Sequence, residues 1–200
     1  MTKRISNPMS RRSVPHALCL AVAASLALVV LPTASPAEAP RTASPPRDGQ
    51  HDFDFLFGRW KARIRRLKSP LHGSNVWIEM SGTSEVRPIW SGKGNIDEIH
   101  NQTPDGPMEA LMVRLYSPTS RQWTLNWAIQ KSGRFDVPWV GEFKGGRGEF
   151  YDQEMFEGRS ILVRYVWSDI KPRSFRFEQA FSADGGKTWE VNWIALSTRL

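Results

Sequence analysis

Gln122-Trp123-Thr124-Leu125-Asn126-Trp127-Ala128-Ile129 alternates at every step: Trp123, Leu125, Trp127 and Ile129 fall on one face, and Gln122, Thr124 and Asn126 on the other. Successive side chains of an extended chain point to opposite sides, so a period of two reads as a strand with one buried face. The pattern repeats downstream. Ile161, Val163, Tyr165 and Trp167 alternate with Leu162, Arg164 and Val166. Phe175, Phe177 and Phe181 stand against Arg176 and Glu178, and Trp189, Val191, Trp193 and Ala195 against Glu190, Asn192, Ile194 and Leu196. Turn signals punctuate the chain from Trp60 onward, among them Ser69-Pro70, Pro104-Asp105-Gly106, Gly145-Gly146 and Asp184-Gly185-Gly186. Such spacing suits an antiparallel meander and leaves no room for the crossovers of a parallel sheet. Roughly nine or ten strands in one open sheet would leave two bare edges, which closure removes. The expectation is an all-β fold: a single antiparallel up-and-down barrel over residues 51–200. A short helical turn over Asp52-Phe53-Asp54-Phe55-Leu56 precedes it, ended by Gly58.

The first 50 residues have another character. Lys3, Arg4, Arg11 and Arg12 open the chain, an uncharged apolar run extends from Ala17 to Leu31, and small residues follow from Thr33 to Ala39. That is the order of a cleavable export signal, and the run is shorter than the ~20 residues that span a bilayer. Residues 1–37 are expected to be removed, and residues 38–50, rich in Pro, Ala, Ser and Thr, to form a disordered lead-in. Removal takes four of the 27 basic residues and none of the 20 acidic ones, so a formal charge of +7 falls by four to +3. The alkaline balance therefore belongs partly to the signal and argues little for nucleic acid. Cys19, the only cysteine, goes as well. What remains reads as a periplasmic or secreted domain held by its core rather than by disulfides, with no later stretch able to span a membrane.

Gly58-Arg59-Trp60 opens the first strand after an aromatic turn, and Arg199 stands at the end of the last. This resembles the opening motif of the lipocalin and wider calycin group. There the tryptophan plugs the closed end and a basic residue of the last strand packs on its face. The wider pattern adds Gly92-x-Gly94-Asn95, Val140-Gly141-x-Phe143, Gly148-Glu149-Phe150-Tyr151, Arg164-x-x-Trp167 and Gln179-Ala180-Phe181. It resembles a family of uncharacterised, often exported bacterial proteins regarded as calycin-like barrels, over about residues 51–199. The resemblance implies a fold; it carries no activity and no catalytic residues. Ser182-x-Asp184-x-Gly186-x-Thr188-Trp189 is similar to the Asp-box of sialidase-like propellers, a hairpin device in which aspartate and serine bond turn backbone. A propeller needs several blades and one copy occurs here. Gly58, Trp60, Arg199, Ser182, Asp184, Gly186 and Trp189 are therefore assigned structural roles.

No nucleophile elbow or P-loop is present. His51, His72 and His100 give no metal spacing, and only His100 could face into a barrel to meet haem. No catalytic residue, cofactor or metal ligand is assigned. The leading expectation is a binding module that holds a small amphipathic or polar molecule among Trp123, Trp127, Tyr165, Trp167, Phe177 and Trp193. Polar strand residues Arg114, Asn126, Arg164, Glu178 and Asn192 stand opposite the large aromatics. Facing outward they would form a solvated wall; facing inward they would need partners and would line the cavity. Arg114, Arg164 and Glu178 are taken as ligand-binding candidates on the second reading, and Arg164, between apolar Leu162 and Val166, is the discriminating case. Two alternatives remain open. A hydrolase or isomerase would use Glu178 or Asp97 and Glu98 beside an arginine, and an envelope interaction protein would have a filled barrel with no ligand.

Overall fold

The structure, a computed structural model, describes residues 47–200. The export signal over 1–37 and the lead-in as far as residue 46 lie outside the described residues. Ten strands follow one another: β1 (Gly58–Leu67), β2 (Trp77–Ile89), β3 (Gly94–Thr103), β4 (Gly106–Ser117), β5 (Gln122–Ile129), β6 (Trp139–Lys144), β7 (Arg147–Phe156), β8 (Arg159–Lys171), β9 (Ser174–Ser182) and β10 (Glu190–Arg199). Each pairs antiparallel with its neighbours in sequence, and β1 pairs with β10, so the sheet is a closed up-and-down barrel. A short 3-10 turn over Asp54–Leu56 leads into β1. Among the described residues no helix is long and apolar enough to cross a membrane.

The closed end is built around Trp60 and Arg199, which face each other in the β1–β10 register. The guanidinium lies 4.2 Å from the Trp60 ring centroid and donates to the carbonyls of Phe57 (2.6 Å) and Phe55 (2.7 Å). Trp60 Nε1 donates to the Leu56 carbonyl at 2.6 Å, so tryptophan and arginine together tie the 3-10 turn under the barrel. Gly58 makes this possible: its φ is +108, and a Cβ there would stand 3.0 Å from Arg199 Nη1. Phe53, fully buried, fills the base. It meets Trp123, Phe143 and Trp167 edge-on at 5.1, 4.9 and 5.3 Å, the geometry that aromatic quadrupoles favour.

Two expectations need correction. Arg47–Gln50, assigned to the disordered lead-in, pack on the barrel. Gly49 donates to Tyr116 Oη (3.0 Å) and accepts from Trp123 Nε1 (2.9 Å), while Arg47 pairs with Asp52. Two buried aromatic polar groups thus find partners in a segment whose composition alone reads as linker. The second correction concerns β10. Its register against β9 shifts between Val191 and Trp193. The extra residue at this bulge breaks the period of two, so Trp189 does not share a face with Trp193, and Asn192 turns inward beside Trp193.

Candidate functional site

The inner faces of the strands enclose a cavity of about 830 Å³, well above the roughly 300 Å³ at which small-molecule sites begin. Its wall is aromatic and aliphatic: Met112 from β4, Trp127 from β5, Tyr165 and Trp167 from β8, Phe177 from β9 and Trp193 from β10. Trp60 and Leu56 bound it toward the closed end. Alternation places these side chains. Every second residue of a closed sheet must point inward, and these large aromatic and aliphatic side chains occupy inward positions.

One charged pair lies inside this apolar wall. Arg114 reaches in from β4 on the same face as Met112 and Tyr116. Its Nη1 donates to Asn95 Oδ1 (2.8 Å) and its Nη2 to Asp97 Oδ2 (2.9 Å), both from β3. The guanidinium also stands 5.2 Å from the Phe53 ring and 5.6 Å from the Trp167 ring. Arg114 and Asp97 are 3% and 5% exposed, and both line the cavity. Burial raises the Asp97 carboxyl above its ordinary value, opposed by the Arg114 charge and by hydrogen bonds from Arg114 and Ser84. Arg114 Nε, Asp97 Oδ1 and Asn95 Nδ2 have no partner among the described residues. A buried polar group without a partner costs about 1–3 kcal/mol, so the two on cavity-lining residues, Arg114 Nε and Asp97 Oδ1, are the cavity's unmet hydrogen-bonding capacity.

A second polar group sits on the β7 side. Asp152 and Glu154 share the inner face of that strand with Phe150 and Phe156. Burial, then the charges of Glu154 and Asp136, raise Asp152 to about 8. Burial, with the charges of the same three acids, holds the Tyr165 phenol well above its usual range, and Trp139 stacks on Tyr165 at 4.2 Å. Among the described residues no group of three or more His, Cys, Asp or Glu is arranged to hold a metal ion.

The segment between β1 and β2 closes over the other end. His72 Nε2 meets Glu157 Oε2, in the β7–β8 turn, at 2.7 Å. The Leu71 backbone N–H donates to Glu190 Oε1 at 2.6 Å. Arg66, Lys68, His72 and Glu157 line the cavity there, so its charged groups outside the Arg114–Asp97 pair gather at this mouth.

The structure brings Arg114, Trp127, Tyr165, Trp167, Phe177 and Trp193 together around the cavity and leaves three candidates elsewhere. Trp123 is buried in the base beneath the cavity, edge-on to Phe53. Glu178 lies on the outer wall and pairs with Arg176 at 2.5 Å. Arg164 is outside too, its guanidinium 4.5 Å from the Trp189 ring centroid. Its apolar neighbours pointed to burial for a different reason: the β9–β10 hairpin folds over the outer face of β8. Glu98 is exposed and paired with Arg87, and His100 points outward to Glu109. The polar set therefore divides. Arg114 and Asn192 face in, while Asn126, Arg164 and Glu178 face out. Asn95, Asn101 and Gln179 were missed. Gln179 donates to Asn192 Oδ1 at 2.8 Å, and only the bulge in β10 reveals that pair. In the hairpin, Asp184 Oδ1 accepts from Ser182 Oγ (2.8 Å) and from the N–H groups of Lys187 (3.0 Å) and Thr188 (2.9 Å), and Ser182 Oγ accepts from Gly186 N–H (2.8 Å).

No family model and no curated protein matches the chain. Solved structures do. The S-type phycobiliprotein lyase CPES from Guillardia theta aligns with a TM-score of 0.50 at 9% identity, covering 78% of this chain and 94% of that one. EF1p2_mFAP2b, solved bound to DFHBI, gives 0.42 at 10% identity over 76% of this chain and 99% of that chain. A de novo designed fluorescence-activating β-barrel gives 0.40 at 15% identity over 77% and 99%. At such identities the likeness to the lyase is one of fold alone.

Proposed function

We propose that this protein is an exported binding module that holds one small amphipathic molecule in the barrel lumen. The cavity carries the reading: about 830 Å³ of space with an aromatic wall and a single buried ion pair set into it. A barrel serving only as an interaction surface gains nothing from leaving its interior open, since each unfilled volume forfeits packing. An amphipathic ligand would supply that packing and meet the free polar valences. Export rests on the N-terminal order of basic, apolar and small residues, and membership of the exported calycin-like family on the motifs from Asp52 to Trp193.

Native mass spectrometry of protein purified from its own host tests the binding reading. The expected spectrum contains a population heavier than the bare chain by the mass of one small molecule, which dissociates on collisional activation. Repeated purifications giving only the bare chain, together with no rise in melting temperature across a panel of single-chain amphiphiles, would overturn it. The enzyme reading retains one inward carboxylate, Asp97, beside an arginine, since Glu178 and Glu98 face outward.

A further inference from the structure

Resting on the lumen being a binding site, we infer that the ligand group received by Arg114 and Asp97 carries no net charge and offers a hydrogen-bond donor beside an acceptor, as a primary amide or a protonated carboxyl group does. The charge balance decides this. Arg114 is already compensated by Asp97 at 2.9 Å, and the remaining charged groups of the cavity lie at the mouth. An anion set beside the pair would stand against Asp97 with no cation left to meet it, and a cation would stand against Arg114. In a dry interior an uncompensated charge is far costlier than at the surface. The free valences specify the rest. Arg114 Nε is a donor without an acceptor, and Asp97 Oδ1 is an acceptor without a donor, and both residues line the cavity. A ligand carbonyl oxygen answers the first kind, and an N–H or O–H on the same carbon answers the second. The aliphatic remainder then lies along Met112, Trp127 and Phe177 toward the mouth.

The test uses dodecanamide, dodecanoate and dodecylamine, which share a chain and differ in head group. Binding is measured by isothermal titration calorimetry in two buffers of different ionisation enthalpy. At neutral pH dodecanamide should bind at least about tenfold more tightly than the other two. Dodecanoate should bind only with uptake of about one proton, so that its affinity rises about tenfold per unit fall in pH above its own pKa. Asp97→Asn leaves the Arg114 charge uncompensated, so in that variant dodecanoate should overtake the amide and bind without proton uptake. Dodecanoate binding wild type as tightly as the amide with no proton taken up would overturn the inference while leaving a binding lumen. The inference fails equally if Arg66→Ala with Lys68→Ala abolishes dodecanoate binding, which places the anion at the mouth. Binding of none of the three sinks both readings. Should Asp97→Asn fail to fold, proton uptake by wild type decides alone.

Discussion

Asp152 enters the interior from β7, and the charges that act on it, Glu154 and Asp136, are both negative. Its two oxygens have no partner among the described residues. Burial and these neighbours raise it to about 8, so the carboxyl is protonated at neutral pH. An unfolded chain holds that proton only below about pH 4. The proton therefore favours the folded state in full below about pH 4, and the advantage is lost as pH rises through about 8. Asp152→Asn, which mimics the neutral acid, should flatten this dependence. Urea unfolding above pH 8 should find the variant more stable than wild type by about 1–3 kcal/mol, with the gap shrinking as pH falls; equal slopes for the two proteins would contradict the assignment. Nothing in the sequence marks Asp152, because an acid between Tyr151 and Gln153 looks the same on either wall. Arg114 is ambiguous for a related reason: Leu111, Val113 and Leu115 are as apolar as Met112 and Tyr116 on the opposite face. Trp127, Tyr165, Trp167 and Phe177 are legible, since large aromatics in strict alternation have one place to go.

At the scale of the element, the β9–β10 hairpin shows what a motif can and cannot convey. Its residue types fix the turn: Asp184 gathers Ser182, Lys187 and Thr188, and Gly186 takes a φ of 88. The hydrogen bonds hold the Asp184 carboxyl well below the usual carboxylate range. A depressed value means stability that is present above about pH 4, the unfolded value, and lost as pH falls toward the folded one. Asp184→Ala should therefore lower the melting temperature at neutral pH. The difference from wild type should narrow steadily below about pH 4; a difference independent of pH would show that the charge of Asp184 contributes nothing. The motif does not announce where the hairpin lies. That it covers β8, setting Trp189 over Arg164, follows from the bulge at the start of β10. Bulges leave no periodic trace, which is why the outer face of β8 looked like an interior one.

For the molecule as a whole, closure was legible and the state of the interior was not. Strand count and the avoidance of bare edges fix a barrel, and Gly58, Trp60 and Arg199 mark its end. Whether side chains fill the lumen depends on barrel radius and on inward volume summed over ten strands, quantities that no local pattern carries. Arg199→Ala tests the closure. It removes a cation–π contact and leaves the carbonyls of Phe55 and Phe57 without their donor. The expected loss is about 2–3 kcal/mol by chemical denaturation, with Arg199→Lys recovering part of it because an ammonium lacks the planar fork. A variant as stable as wild type would mean that the strand pairing closes the barrel unaided.

The pairing of Trp60 with Arg199 also has a temporal consequence. A nascent chain emerges from its beginning, so β1, once paired with β2, holds its other edge open until eight further strands have been made and β10 follows. Until β10 arrives, the growing meander keeps two unsatisfied borders and cannot seal its hydrophobic interior. The last seam to form joins the strands farthest apart along the meander, and closure is thereby deferred until β10 has been made.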